Sequence, residues 1–318
     1  MNDHTPDRLR GSLLERAAEQ FAFGAAPTLR VPAVEEVAAS SAARAPEPVP
    51  VVAPMAVPVP PTERVAPLPA GASARRFAAV DRDRLAAGGM LVPGGPVTAL
   101  AEEFRLVKRQ LLLTARAVAG GDARRARMIL VCSAQANDGK TFCAINLALS
   151  MAAERDVEIL LVDADFAKPD ILDRLGIPQG PGLLDALAGA IDDVERCIVD
   201  TDIPQLSVLP AGTKTHGDTE LIASDRARHV LEALAAADPR RIVILDSPPA
   251  LAASPAGVLA THAGQVMLVV RADKTSESDL REAVAMLDGC DHIQLVLNSV
   301  SFQPGGRRFG SYYGEAGK

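Results

Sequence analysis

The sequence predicts an α/β fold, a largely parallel sheet with helices on both faces. Short runs rich in Leu and β-branched residues, at 128–133, 159–162, 206–209, 242–245, 266–270 and 293–297, alternate with helix-length stretches. Strands spaced in this way are joined by crossovers and lie parallel. Composition points the same way: 48% of residues are hydrophobic but only 3% aromatic, with no Trp, so the core is Val, Leu, Ile and Ala. Strands buried on both faces and Ala-rich helices need that composition. A chain of 318 residues holds one such domain and a substantial further segment.

Along the chain, residues 1–26 read as a short amphipathic helix. Leu13, Leu14, Ala17, Ala18 and Phe21 recur at helical spacing behind Ser12, with Glu15 at the capping-box position. Such a helix either packs on its own domain or docks on a partner. Residues 27–96 carry Pro46, Pro48, Pro50, Pro54, Pro58, Pro60, Pro61, Pro67 and Pro69 without a sustained period. They are expected to be a disordered Pro/Ala-rich tether, the other reading being an irregular arm on the domain. From Val97 to Val118 helical period returns, with Leu100, Phe104, Val107, Leu111 and Val118 near one face, so a folded domain is expected over 97–303. Residues 304–318 form a Gly- and Tyr-containing tail, expected to be flexible.

The formal net charge of -7 argues against a nucleic-acid partner, which would need a concentrated basic surface. Arg124-Arg125-Ala126-Arg127 is a local exception, read as a solvated edge before a strand or as a contact for a partner or anionic lipid. Cys132, Cys143, Cys197 and Cys290 lack the spacing of a zinc site or disulfide framework and read as core residues. No stretch approaches the roughly 20 apolar residues that span a bilayer, so a cytoplasmic location is expected.

The chemistry concentrates at strand ends. The first of the apolar runs leads into Ser133-Ala134-Gln135-Ala136-Asn137-Asp138-Gly139-Lys140-Thr141 and then an apolar helix from Phe142, the strand, loop and helix of a Walker A motif with Ala134 in place of the first glycine. The fold class is therefore a P-loop nucleotide-binding fold. Backbone N–H groups from Ala136 to Phe142 face phosphates, Gly139 permits their close approach, Lys140 meets the β- and γ-phosphates, and Thr141 offers a hydroxyl to Mg²⁺. Two later strands close on carboxylates, Leu160-Leu161-Val162-Asp163-Ala164-Asp165 and Ile242-Val243-Ile244-Leu245-Asp246-Ser247-Pro248-Pro249. Carboxylates at the carboxyl ends of such strands face the phosphate loop, where they hold Mg²⁺ or polarise a hydroxyl. ATP and Mg²⁺ are the expected ligands.

In combination these residues resemble the bacterial tyrosine kinases. Asp163-Ala164-Asp165 with Pro169 is similar to their Walker A′ motif and Asp246-Ser247-Pro248-Pro249 to their Walker B, over roughly residues 97–318. The resemblance implies that Lys140, Asp163 and Asp165 are catalytic, and that Thr141, Asp165 and Asp246 hold the metal. It implies that Asn298, at the end of the last strand, lies against adenine, a turn-forming Asn being the alternative. Glu102, Arg105 and Lys108, with Arg109 adjacent, are similar to the family's ring-assembly motif, the other reading being a solvated charged face. Tyr312 and Tyr313, the only 2 tyrosines, stand for its C-terminal acceptor run. Related positioning and partitioning ATPases carry a lysine where this chain has Gln135, which favours the kinase branch; Ala167 and Lys168 stand where many kinases have an arginine pair.

The activity so implied is ATP-dependent tyrosine autophosphorylation in exopolysaccharide assembly. A membrane copolymerase, or chain-length determinant, would recruit the chain to the inner face of the membrane, a ring-like homo-oligomer would form, and a cognate tyrosine phosphatase would reverse the reaction. A partner-regulated ATPase of the positioning class and a non-catalytic, nucleotide-dependent assembly scaffold remain the alternatives.

Overall fold

The structure, a computed structural model, describes residues 75–215 and 217–300. An 8-stranded sheet runs in the order β1-β4-β5-β3-β6-β2-β7-β8. Its strands are β1 (Arg76–Ala78), β2 (Met128–Ser133), β3 (Glu158–Asp163), β4 (Val199–Thr201), β5 (Leu206–Leu209), β6 (Arg241–Asp246), β7 (Gln265–Arg271) and β8 (Ile293–Asn298). All pairs are parallel except β4 with β5. Each expected strand is present, and β1 and β4 are additions too short to show a period.

Strand alternation divides the core between two faces. Leu130, Cys132, Leu160, Val162, Val243, Leu245, Val266 and Leu268 pack on one side against the helices Asp225–Ala236 and Pro255–His262. Ile129, Val131, Ile159, Leu161, Ile242, Ile244, Met267 and Val269 pack on the other, against α2 (Ala99–Val118) and α3 (Lys140–Met151). The helix expected from Val97 is α2, capped by the Thr98 side chain on the Ala101 N–H and buried through Phe104 and Leu111. Gln265, fully buried in β7, donates to the Leu111 carbonyl at 3.0 Å and accepts from Gln294 of β8, tying α2 to the sheet edge.

Two expectations change. Residues 75–96, expected as part of the tether, belong to the folded domain. Segment Arg76–Ala78 pairs with β4, and α1 (Arg82–Ala87), capped by Asp81 on the Asp83 and Arg84 N–H groups, buries Leu85 completely. Val80 and Met90 are buried too, and Arg75 is held by Glu195 and Asp200. Burial of these apolar residues offsets the ordering entropy that a tether would keep. The basic cluster before β2 is not a solvated edge: Arg125 donates to the Ala263 and Gly289 carbonyls and Arg127 to those of Ala235 and Pro239. These guanidiniums satisfy carbonyls at or just beyond the ends of helical segments. The expected helix at 1–26, the rest of the tether to 74 and the tail at 304–318 lie outside the described residues.

Candidate nucleotide site

The site forms where β2, β3 and β6, adjacent in the sheet, reach their carboxyl ends. Parallel pairing places Asp163 beside Asp246, and Asp246 beside Val131 of β2, so three distant motifs meet at one edge. Between β2 and α3 the loop 133–139 turns on Asn137 (φ 67°) and Gly139 (φ 99°). A Cβ on Gly139 would lie 2.1 Å from the Asn298 amide, so only glycine fits both its conformation and its neighbour. Ala134, in the place of the first glycine, has no positive φ and is buried, so its methyl adds no backbone strain. Asp138 closes the loop by accepting the Gln135 N–H at 3.0 Å. Among the described residues, the N–H groups of Ala136, Asn137, Asp138 and Gly139 have no protein acceptor. They stand before the N-terminus of α3, whose dipole favours an anion.

The carboxylates surround Lys140. Its ammonium lies 2.6 Å from Asp165 and 3.8 Å from Asp246 and contacts the Thr141 hydroxyl at 3.2 Å. Burial alone would lower the Lys140 pKa, but Asp246 and Asp165 outweigh it and hold it raised, so the lysine stays charged. Asp163 is differently employed. One oxygen accepts the Asp170 and Ile171 N–H groups at 3.1 Å, which fixes the carboxylate plane, while the other is buried without a partner. Burial, and then the nearby Asp246 charge, push the Asp163 pKa up to about 7. Burial likewise pushes Asp246 up to about 6 against the pull of Lys140 and of the nearby Thr141 hydroxyl, and neither of its oxygens has a donor in hydrogen-bonding geometry.

The buried Asp246 oxygens, which no donor satisfies, fit a bound cation. Among the described residues no three His, Cys, Asp or Glu side chains converge as a complete cage. Mg²⁺ ordinarily takes one or two carboxylates together with phosphate oxygens, and Thr141, Asp165 and Asp246 supply a set of that kind. The four cysteines are buried, and burial raises each thiol, Cys143 to about 12, so none is poised as a nucleophile.

The structure thus brings together Ala136 to Thr141, Asp163, Asp165 and Asp246. Phe142 and Asn298 line a cavity of about 460 Å³ beside the loop, with Phe104, Val107 and Val296. The Asn298 side chain, however, is already engaged with the loop, donating to the Asp138 carbonyl at 2.9 Å. The α2 motif needs correction. Glu102 pairs with Arg105 on the same helix, and Lys108 turns inward, donating to the Ser150 carbonyl at 3.1 Å and pairing with Glu154 at 2.6 Å. With its side chain 11% exposed, Lys108 serves the C-terminal end of α3 rather than facing outward beside Arg105. Lys168 is exposed, and only its backbone N–H reaches Asp165. Tyr312 and Tyr313 lie outside the described residues. Arg271, which donates to the Asn137 carbonyl at 3.0 Å, was missed because nothing in its local sequence points to a loop that lies over a hundred residues earlier.

Residues 126–298 match the family AAA_31, an AAA domain. The chain is 32% identical over 181 residues to the putative tyrosine-protein kinase EpsB of Ralstonia nicotianae, across 55% of this chain and 23% of that one. It is 30% identical over 168 residues to the tyrosine-protein kinase YwqD of Bacillus subtilis, across 52% of this chain and 69% of the relative. The fold matches the kinase domain of the Escherichia coli tyrosine kinase ETK with a TM-score of 0.59 at 22% identity, covering 74% of this chain and 86% of that domain. This chain spans only 23% of the length of EpsB, but most of YwqD. The chain belongs to the AAA-domain family of P-loop proteins and, within it, to the bacterial tyrosine-protein kinases.

Proposed function

We propose that the chain is an ATP-dependent protein-tyrosine autokinase. The observation that carries this reading is the convergence of Lys140, Asp163, Asp165 and Asp246 behind a loop of unpaired N–H groups. In this reading the N–H groups of 136–142 and the Lys140 ammonium bind the triphosphate of ATP, while Thr141, Asp165 and Asp246 hold Mg²⁺. When bound, Mg²⁺ neutralises charge that gathers on the phosphate oxygens. Asp163 is the proton acceptor. Its unpartnered oxygen takes the tyrosine hydroxyl proton, and a carboxylate that titrates near 7 is matched to that task at neutral pH. The two backbone donors on its other oxygen keep it aimed throughout.

Tyr312 and Tyr313 are the acceptors in this proposal, offered by the tail of a neighbouring subunit in a ring-like oligomer that works with a membrane polysaccharide copolymerase. Incubation with labelled ATP, followed by mapping of the label by mass spectrometry, tests the reaction. Label on Tyr312 or Tyr313 is expected, and free phosphate alone would select an ATPase instead. Lys140→Met should abolish transfer. It should also destabilise the protein by about 3 kcal/mol, because it strips the cation from two buried carboxylates. Transfer that survives in a folded Lys140→Met variant would sink the site.

A further inference from the structure

The ends of β7 and β8 grip the phosphate loop from outside the motif. Arg271, the last residue of β7, donates from its guanidinium to the Asn137 carbonyl at 3.0 Å. Asn298, the last residue of β8, donates its amide to the next carbonyl, that of Asp138, at 2.9 Å. Both grips are themselves braced. The Arg271 N–H donates to the Thr275 hydroxyl at 3.0 Å, and that hydroxyl lies 3.4 Å from the Asp138 carboxylate. The Asn298 side-chain oxygen accepts the Ser299 N–H at 2.9 Å, which orients the amide, and its backbone carbonyl accepts the Ala272 N–H at 2.9 Å, which joins the two strand ends. Asn298 also occupies the space that a Gly139 side chain would need.

A trans peptide is planar, with its C=O and N–H directed oppositely. A grip on the Asn137 carbonyl therefore turns the Asp138 N–H away from β7, and a grip on the Asp138 carbonyl turns the Gly139 N–H away from β8. Those two N–H groups are among the loop donors that have no protein acceptor. The Asp138 carboxylate restrains the first half of the loop through the Gln135 N–H, whereas exposed Asn137 holds a left-handed conformation (φ 67°) at the peptide that Arg271 grips.

We propose that Arg271 and Asn298 are positioning residues that set the peptide planes of the phosphate loop, so that polyphosphate affinity depends on the ends of β7 and β8. The proposal rests on the nucleotide-site reading above. It assigns Asn298 to the phosphates through the loop, rather than to the base.

The test uses the full chain with Mg²⁺ and measures binding of ATP and of inorganic tripolyphosphate by calorimetry, alongside melting without ligand. Each grip is one hydrogen bond, so Asn298→Ala and Arg271→Ala should each weaken both ligands by a similar factor of about five- to tenfold. Arg271→Lys, which keeps a donor, should recover most of the loss. Unligated melting should stay near the parent for the Arg271 variants, whose guanidinium hydrogen-bonds an exposed loop residue. Loss of ATP affinity in Asn298→Ala with tripolyphosphate unchanged would make Asn298 a base contact and overturn the proposal. Unchanged affinity for both ligands in Arg271→Ala would overturn it as well, even if Asn298→Ala fails to fold. A parent protein that binds neither ligand would instead remove the nucleotide site itself.

Discussion

Lys140, Asp163, Asp165 and Asp246 form a cluster in which carboxylates outnumber the cation, inside a domain that leaves each of them less than a tenth exposed. Such an arrangement costs stability when every carboxylate is ionised. The consequence for pH follows from the sign of the shifts. Asp163 and Asp246 have pKa values raised to about 7 and about 6 from 3.8, so between pH 4 and 7 the folded state holds more protons than the unfolded chain. Stability therefore falls as pH rises through that window, and the deficit is complete above about pH 7. In EDTA without nucleotide, the unfolding free energy from urea titration should be lower at pH 8 than at pH 5, by on the order of a few kcal/mol at most. Asp163→Asn should remove much of that slope. A midpoint independent of pH in the parent would show that these carboxylates are not destabilised by folding. The resemblance points to Asp163 as the proton acceptor, but the residues alone do not separate it from Asp165, since the two read alike at the end of one strand. Only the fold gives one of them two backbone donors and the other a lysine.

Among the elements, α1 is the one whose importance the sequence concealed. Its Asp81 cap, its single apolar turn and the Gly88-Gly89 stop are a complete helix signal in miniature, but six residues are too few for a period to stand out beside a proline-rich stretch. The helix nonetheless fills part of the core face that holds α3, through the fully buried Leu85. Leu85→Ala in the full chain should cost about 2–4 kcal/mol, read as a lower denaturation midpoint with the same slope. A variant as stable as the parent would mean that 75–96 is a tether after all. By contrast, α2 was legible because its apolar stripe runs for five turns from Thr98. The inward turn of Lys108 was not legible, since helical spacing places a residue within a turn but says nothing of a carbonyl on the neighbouring helix.

For the whole molecule, that inward turn separates packing from assembly. Lys108 is committed to α3, whereas Arg105 is 51% exposed and Arg109 is exposed, and Leu106 and Leu113 add apolar area to the same helix. If α2 joins protomers, Arg105→Ala with Arg109→Ala should reduce the particle size in light scattering while leaving the melting temperature close to the parent's. Lys108→Ala should do the reverse, lowering stability by about 1–2 kcal/mol through loss of the carbonyl bond and the Glu154 pair, with assembly intact. Dissociation caused by Lys108→Ala alone, without loss of stability, would restore Lys108 to the interface.

The sequence by itself determined six of the 8 strands and the chemistry of the sheet's edge. The alternation of strand and helix lengths, the glycine and lysine of the loop, and Asp at the ends of β3 and β6 are local patterns, and local patterns suffice for strands buried on both faces and for a phosphate loop. The tertiary structure decided which side chains act on one another across the fold. It set Arg271 and Asn298 on the loop, Lys108 on α3, Arg125 and Arg127 on distant carbonyls, Arg76–Ala78 on the edge of the sheet and Leu85 in the core. The reason is physical. Periodicity and propensity describe a residue against its chain neighbours, whereas a hydrogen bond between strand ends depends on which strands lie side by side, and that is settled only when the core closes.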